Sequence, residues 1–349
     1  LLLVPRKEVH LQRLSLAACA LLLAAASAPA QIRGAALISK PRPVLWTWGD
    51  ELTEWSLDTL APRVLIPHAD LAAGCVADEG LLALSRSRLV LLKPPRFTEV
   101  VLERRTDFRD CLPFTLSGRR GVLIPHLHAQ LRFYEFRWPY RYHELYSIYT
   151  PSKQGGLLAH DVDNDGAVDL FLGNYWVRNP GRLGLPWRLF AVNTYYDTPD
   201  SALARLALLR LPGRREADLV WAESEAAPAR IAWLERPASV AGHWTPHLIE
   251  PALNHPRALL TTATPPAIYV GHDDGITLFR FEDGRFTASS VYPGPAVIAL
   301  FPLPGRKLLA VSPDRPRIFT VPGYNQQGSA HEAGRQGFSI LSPSRAGRP

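Results

Sequence analysis

Seven strand-like runs, each aromatic or aliphatic, recur along this 349-residue chain. They start at Val44 (VLWTW), Leu89 (LVLLK), Leu131 (LRFYEF), Tyr175 (YWVRN), Arg230 (RIAWLE), Ile276 (ITLFRF) and Arg317 (RIFTV), at steps of 45, 42, 44, 55, 46 and 41 residues. The internal order of each unit also repeats. An apolar run such as Leu157–Ala159 leads. A second run follows a turn, as in Leu81–Leu84, Val122–Ile124, Val168–Leu172, Leu219–Trp221, Ile268–Val270 and Leu308–Val311. The marked run comes third, and an alternating stretch such as Glu99–Leu102, Trp187–Val192, Trp244–Ile249 or Phe286–Val291 closes the unit. Four short strands in about 40–45 residues form a unit that cannot bury both faces of its sheet alone. Stacking such units around an axis covers them.

The expected fold is therefore all-β, a β-propeller of six or seven blades, seven preferred, over residues 31–325. The first unit is expected to lack its early strands and the last to lack a clear fourth, a pattern expected where the two termini share the closing of a ring. The long step of 55 is assigned to a polar, alanine-rich insert, Ala222–Ala229. A β-sandwich with coincidental spacing is disfavoured by six intervals clustered near 45. The 32 prolines oppose long helices, since each interior proline costs about 3 kcal/mol. No amphipathic helical stretch stands outside the first thirty residues, which argues against an α/β enzyme. Length alone would suggest two domains, but closed β repeats exceed that rule as one.

Residues 1–30 read as a secretory signal peptide. Arg6, Lys7 and Arg13 precede an apolar run from Leu14 to Ala26. The small-x-small sites Ala26-Ser27-Ala28 and Ala28-Pro29-Ala30 follow, and the second leaves Gln31 as the mature start. The run is shorter than the roughly 20 residues a membrane span needs, so no transmembrane segment is expected after signal removal. A lipobox-like Leu16-Ala17-Ala18-Cys19 offers lipoprotein anchoring as the second choice. The expected location is periplasmic or extracellular. The tail 326–349 reads as loose, apart from the short run Phe338–Leu341.

Export changes the reading of the cysteines. Cys75 and Cys111 remain after Cys19, and an oxidising compartment allows a disulfide between them; two buried thiols are the alternative. The net charge is +7, and about +5 remains beyond the first thirty residues. The arginines are scattered, in short clusters such as Arg104–Arg105, Arg119–Arg120 and Arg214–Arg215, with no basic stripe interleaved with aromatics. Nucleic acid is accordingly not an expected partner.

The sharpest motif is Asp-Val-Asp-Asn-Asp-Gly-Ala-Val-Asp at 161–169. Ca2+ takes six to eight oxygen ligands at about 2.3–2.6 Å. Asp161, Asp163 and Asp165 stand at alternate positions, Gly166 allows a sharp turn, the Ala167 carbonyl falls at a backbone-ligand position, and Asp169 closes the loop. An EF-hand needs glutamate at position 12 and flanking helices. That position is Leu172, in a strand-like run, so an EF-hand is excluded.

The stretch HDVDNDGAVDLFLGNYW (160–176) resembles the FG-GAP or VCBS repeat of integrin-like propellers and exported bacterial proteins. RIAWLERP (230–237) and HWTPHLIE (243–250) are similar to the later strands of that repeat. The resemblance covers about 155–250. It implies that the acidic loop joins the first two strands of a blade and binds calcium through Asp161, Asp163, Asp165 and Asp169. The corresponding Gly271-His272-Asp273-Asp274-Gly275 has too few acids to hold a metal.

Weaker constellations remain. His126 and His128 share a strand face, with no third ligand at a matching spacing. The stretch Phe133–Tyr149 is dense in rings that suit either blade packing or a sugar-stacking rim. His160 and His272 both precede acidic turns and are read as sharing a register. There is no Gly-x-Ser-x-Gly, phosphate loop, dinucleotide fingerprint or His-Glu-x-x-His. The functional expectation is a non-catalytic, calcium-binding propeller, monomeric, holding a protein or carbohydrate ligand. The alternative is an extracellular polysaccharide hydrolase or lyase on a propeller frame, recognised by a pair of carboxylates, or a histidine and a carboxylate, in acid/base geometry.

Overall fold

The computed structural model describes residues 30–39, 42–126, 130–147, 155–193 and 203–321. The signal-like segment 1–29, with Cys19, and the tail 322–349, with the Phe338–Leu341 run, lie outside the described residues, as does His128.

Every described regular element is a strand. Blade 1 holds β1 (Ile32–Ile38), β2 (Val44–Gly49), β3 (Leu52–Ser56) and β4 (Pro62–Ile66). Blade 2 holds β5 (Leu71–Ala77), β6 (Gly80–Ser85), β7 (Arg88–Lys93) and β8 (Thr98–Arg104). Blade 3 holds β9 (Leu112–Leu116), β10 (Arg119–His126), β11 (Gln130–Glu135) and β12 (Tyr142–Ser147). Blade 4 holds β13 (Leu157–His160), β14 (Asp169–Leu172), β15 (Tyr175–Arg178) and β16 (Arg188–Ala191). Blade 5 holds β17 (Ala204–Leu209), β18 (Asp218–Glu223), β19 (Ile231–Glu235) and β20 (Thr245–Leu248). Blade 6 holds β21 (Ala258–Ala263), β22 (Pro266–His272), β23 (Gly275–Glu282) and β24 (Arg285–Pro293). Blade 7 holds β25 (Ala299–Leu303), β26 (Lys307–Val311) and β27 (Pro316–Thr320). Six sheets have four antiparallel strands, each paired with its sequence neighbours, and the seventh has three among the described residues.

Burial follows strand rank. The second strands β6, β14 and β18 are buried at every position, and the outer strands β4, β8 and β24 are buried at none. A second strand is covered on both sheet faces by neighbouring blades, so it reads as a continuous apolar run rather than an alternating one.

The core is divided among the blade interfaces. Leu52 and Trp48 pack with Leu81 and Val90 between blades 1 and 2. Leu82 and Leu91 meet Val122 and Tyr134 between blades 2 and 3. The sequence of interfaces continues round to Leu45 and Ile32 of blade 1, which pack on Phe301, Leu309 and Val311 of blade 7. Ile32 N–H also donates to the Pro313 carbonyl at 2.8 Å. The ring closes as seven blades.

Three sequence expectations need correction. Blade 1 has its early strand: β1 (IRGAALI) lies between the signal-like segment and VLWTW, and Val44 opens the second strand of its blade rather than the third. The described termini therefore meet by packing of blade 1 on blade 7. Ala222 belongs to β18, so the insert is shorter than 222–229; the rest of the long step lies in the β16–β17 connection.

Cys75 in β5 and Cys111, just ahead of β9, form a disulfide with Cα atoms 5.8 Å apart, joining blades 2 and 3.

Candidate functional site

The acidic loop 161–168 joins β13 to β14, the first and second strands of blade 4. Strand pairing places His160 opposite Asp169, so the loop leaves and re-enters the sheet at one point. Gly166 sits at φ 90°, a left-handed conformation that favours glycine.

Each carboxylate has a distinct role. Asp169 is fully buried. Its Oδ2 accepts the Val162 N–H at 3.1 Å and the Trp176 indole N–H at 3.0 Å, and its Oδ1 accepts the Asn179 N–H at 2.7 Å. Burial pushes this carboxyl up to about 6, against the pull of those three donors. Asp161 accepts the N–H groups of Asp165 (3.1 Å) and Gly166 (3.0 Å), which shapes the turn. Asp165 accepts the Ala167 N–H at 2.9 Å and faces the Arg178 guanidinium at 3.1 Å. Asp163 Oδ2 lies 2.6 Å from Arg178 Nε, and its Oδ1 is buried with no hydrogen-bond partner among the described residues.

One oxygen from each of Asp161, Asp163 and Asp169 lies within 4.8 Å of the others. Two oxygens facing each other across a calcium ion at about 2.4 Å stand about 4.8 Å apart, so this spacing suits the ion. The structure thus brings together three of the four acidic residues named from sequence. Asp165 is turned to its own loop and to Arg178, and Ala167 sits beside it. Arg178, in the third strand, was not foreseen; its position opposite the loop emerges only once the β14–β15 register is known.

Blade 5 repeats this arrangement with its charges reversed. Its first two strands are also joined by eight residues, 210–217. Leu170 pairs with Val177 in blade 4, and Leu219 pairs with Leu234 in blade 5. Asp218, Glu235 and Arg236 are therefore the counterparts of Asp169, Arg178 and Asn179. Asp218 Oδ1 accepts the Arg236 N–H at 2.9 Å, as Asp169 accepts that of Asn179. Here the loop supplies the cation, Arg214, and the third strand supplies the anion, Glu235. Arg214 and His247 hold the Glu235 carboxyl below its usual range. The two blades are also linked directly, since the Arg236 guanidinium donates to the Val162 carbonyl.

The remaining sequence candidates separate. His126 ends β10, is buried, and lies 3.2 Å from Arg132 Nη1; burial and that guanidinium lower its pKa. His160 ends a first strand and His272 a second strand, so they do not share a register as expected. Asp273 and Asp274 form the β22–β23 turn. Asp273 accepts from His255 Nδ1 at 2.6 Å and pairs with Arg257. Where connections between blades meet, Arg109 pairs with Glu225 of blade 5, and Asp110 Oδ2 accepts the N–H groups of Gly156 and Leu157, both at 3.0 Å.

No family model matches the chain, and no curated protein sequence matches it. Solved structures do. The extracellular domain of BT4673 from B. thetaiotaomicron is similar with a TM-score of 0.55 and 9% identity, over 83% of this chain and 38% of that one. This chain therefore spans a little over a third of that structure. Virginiamycin B lyase from Staphylococcus aureus is similar with a TM-score of 0.57 and 10% identity, over 84% of this chain and 94% of that one. At these identities the likeness establishes the shared fold, a β-propeller.

Proposed function

We propose that this chain is an exported, non-catalytic propeller that serves as a binding or scaffold module, with one calcium ion held by the blade 4 loop. On this reading blades 4 and 5 are FG-GAP-like repeats, of which only blade 4 keeps the three aspartates of the loop itself. The observation that carries it is the convergence of Asp161, Asp163 and Asp169 within 4.8 Å, with a buried Asp163 oxygen that has no hydrogen-bond partner among the described residues. A buried, unpaired carboxylate oxygen is costly, and a cation would satisfy it. The equal loop lengths of blades 4 and 5 and their matching aspartates support the repeat assignment. Calorimetric titration of the full chain with CaCl2 tests it. One ion per chain, with a Kd at or below about 1 mM, is expected, and Asp163→Asn should weaken it at least about tenfold. Absence of binding, or an unchanged affinity in Asp163→Asn, contradicts the site.

A polysaccharide hydrolase or lyase is the second reading, and one observation favours it. His255 Nδ1 is 2.6 Å from Asp273, half-exposed, an arrangement in which a carboxylate orients an imidazole for proton transfer. Arg257 on the same carboxylate stabilises its charged form. Release of reducing ends from a panel of polysaccharides, lost in His255→Ala, would establish catalysis.

A further inference from the structure

The ring-dense stretch of blade 3 divides in two. Phe133 and Tyr134 are buried in blade packing, whereas Trp138 is 79% exposed and Tyr142 47% exposed. Tyr142 lines a cleft of about 750 Å3 between the outer strand of blade 2 and the turn that leads into β12, together with Glu103, Arg104, Tyr140 and Arg141, and Trp138 stands outside that lining. Trp138 stands edge-on to Tyr140 with ring centroids 5.7 Å apart, which extends the aromatic border.

The rings are held from behind. Lys93 Nζ donates to the Tyr140 hydroxyl at 2.8 Å. The Arg132 guanidinium lies 4.3 Å from the Tyr142 ring centroid. Arg132 is itself fixed by Gln130 at 3.0 Å and by Glu103 at 3.4 Å, and the Tyr134 hydroxyl donates to Glu103 at 2.9 Å. The one carboxylate lining the cleft is thus occupied by an arginine and a tyrosine. Arg104 and Arg141 are exposed and have no acidic partner among the described residues. The cleft combines fixed aromatic faces with two uncommitted guanidinium groups.

We propose that this cleft binds an acidic oligosaccharide, one built of uronic acid units. Aromatic faces suit the C–H faces of a pyranose ring, and a guanidinium forks onto a sugar carboxylate. The cleft is open and shallow, which suits a short glycan chain laid along it, and its volume of about 750 Å3 lies within the range of small-ligand sites. Fixing the rings in advance lowers the ordering cost of binding. The site is separate from the blade 4 loop and does not depend on calcium there.

The test uses the full chain with tetragalacturonate and tetramannuronate as probes and cellotetraose as the neutral control, read by calorimetry and tryptophan fluorescence. At least one uronate should bind with a Kd below about 1 mM, at least about tenfold more tightly than cellotetraose. Trp138→Ala and the double variant Arg104→Ala/Arg141→Ala should each weaken it about tenfold or more, with circular dichroism unchanged because all three side chains are exposed. Failure of both uronates to bind overturns the proposal. So do equal binding of cellotetraose, affinity that survives both variants, or a photo-crosslinker at position 138 that captures a protein in the absence of any glycan binding.

Discussion

Asp163 and Asp169 are both acidic residues of one loop, yet they do different work. Asp169 is buried and accepts three N–H donors, so it fastens the loop to the third strand whether or not a metal is present. Asp163 keeps one oxygen without a partner among the described residues. Asp169→Ala should therefore destabilise the chain by about 3 kcal/mol or more even in a chelator, because it leaves buried donors unmatched. Asp163→Asn should cost less than about 1 kcal/mol in a chelator, since its ion pair with Arg178 is partly exposed. Chemical denaturation of both variants in EDTA separates the two roles; equal losses would mean that the distinction is wrong. Glu235 gives a pH-dependent counterpart. Arg214 and His247 hold its carboxyl below the unfolded value of about 4.3, so the stability it adds is present above that pH and is lost as pH falls through the lower folded value. Glu235→Gln should be less stable than the parent at pH 7 by at most about 1 kcal/mol, and the difference should shrink steadily in denaturation curves as pH is taken below about 4.3.

At the scale of elements, the second strands were the most legible part of the sequence. LLAL, VLI, LVW and IYV are buried on both faces and so leave an unbroken apolar run. The acidic loop was legible for the same reason of local chemistry, since its acids, glycine and length all lie within nine residues. What escaped was set by pairing across the sheet. β1 (IRGAALI) is apolar but follows directly on the apolar, alanine-rich segment before it, and it is only partly buried, so no break in the sequence sets it apart as a strand. Arg178 faces the loop through a register that no spacing rule reveals, and the charge reversal in blade 5 becomes visible only when the two hairpins are aligned. The disulfide was open from sequence because its cysteines lie in different blades. Cys75→Ser/Cys111→Ser should lower stability by about 4 kcal/mol in the chain-entropy account, read from the shift in denaturation midpoint at constant m-value. A shift below about 1 kcal/mol would mean that the bridge adds little to the packing of blades 2 and 3.

The whole molecule is a ring in which every blade is stabilised by its two neighbours, and Leu45 of blade 1 lies wholly buried against blade 7. Such a ring spreads the effect of one ion beyond its own hairpin, since the blade 4 loop is held by Arg236 of blade 5 and Val162 sits in the apolar interface of those blades. A metal that binds the native state alone raises stability by mass action, by about 2.7 kcal/mol at a hundredfold excess over Kd. The central claim is that the blade 4 loop is a calcium site, and thermal unfolding of the full chain in saturating CaCl2 against EDTA tests it most directly. The account predicts a Tm higher by about 4 °C with calcium at a hundredfold excess over Kd, with the increment gone in Asp163→Asn. Superimposable melting curves in the two conditions would contradict it.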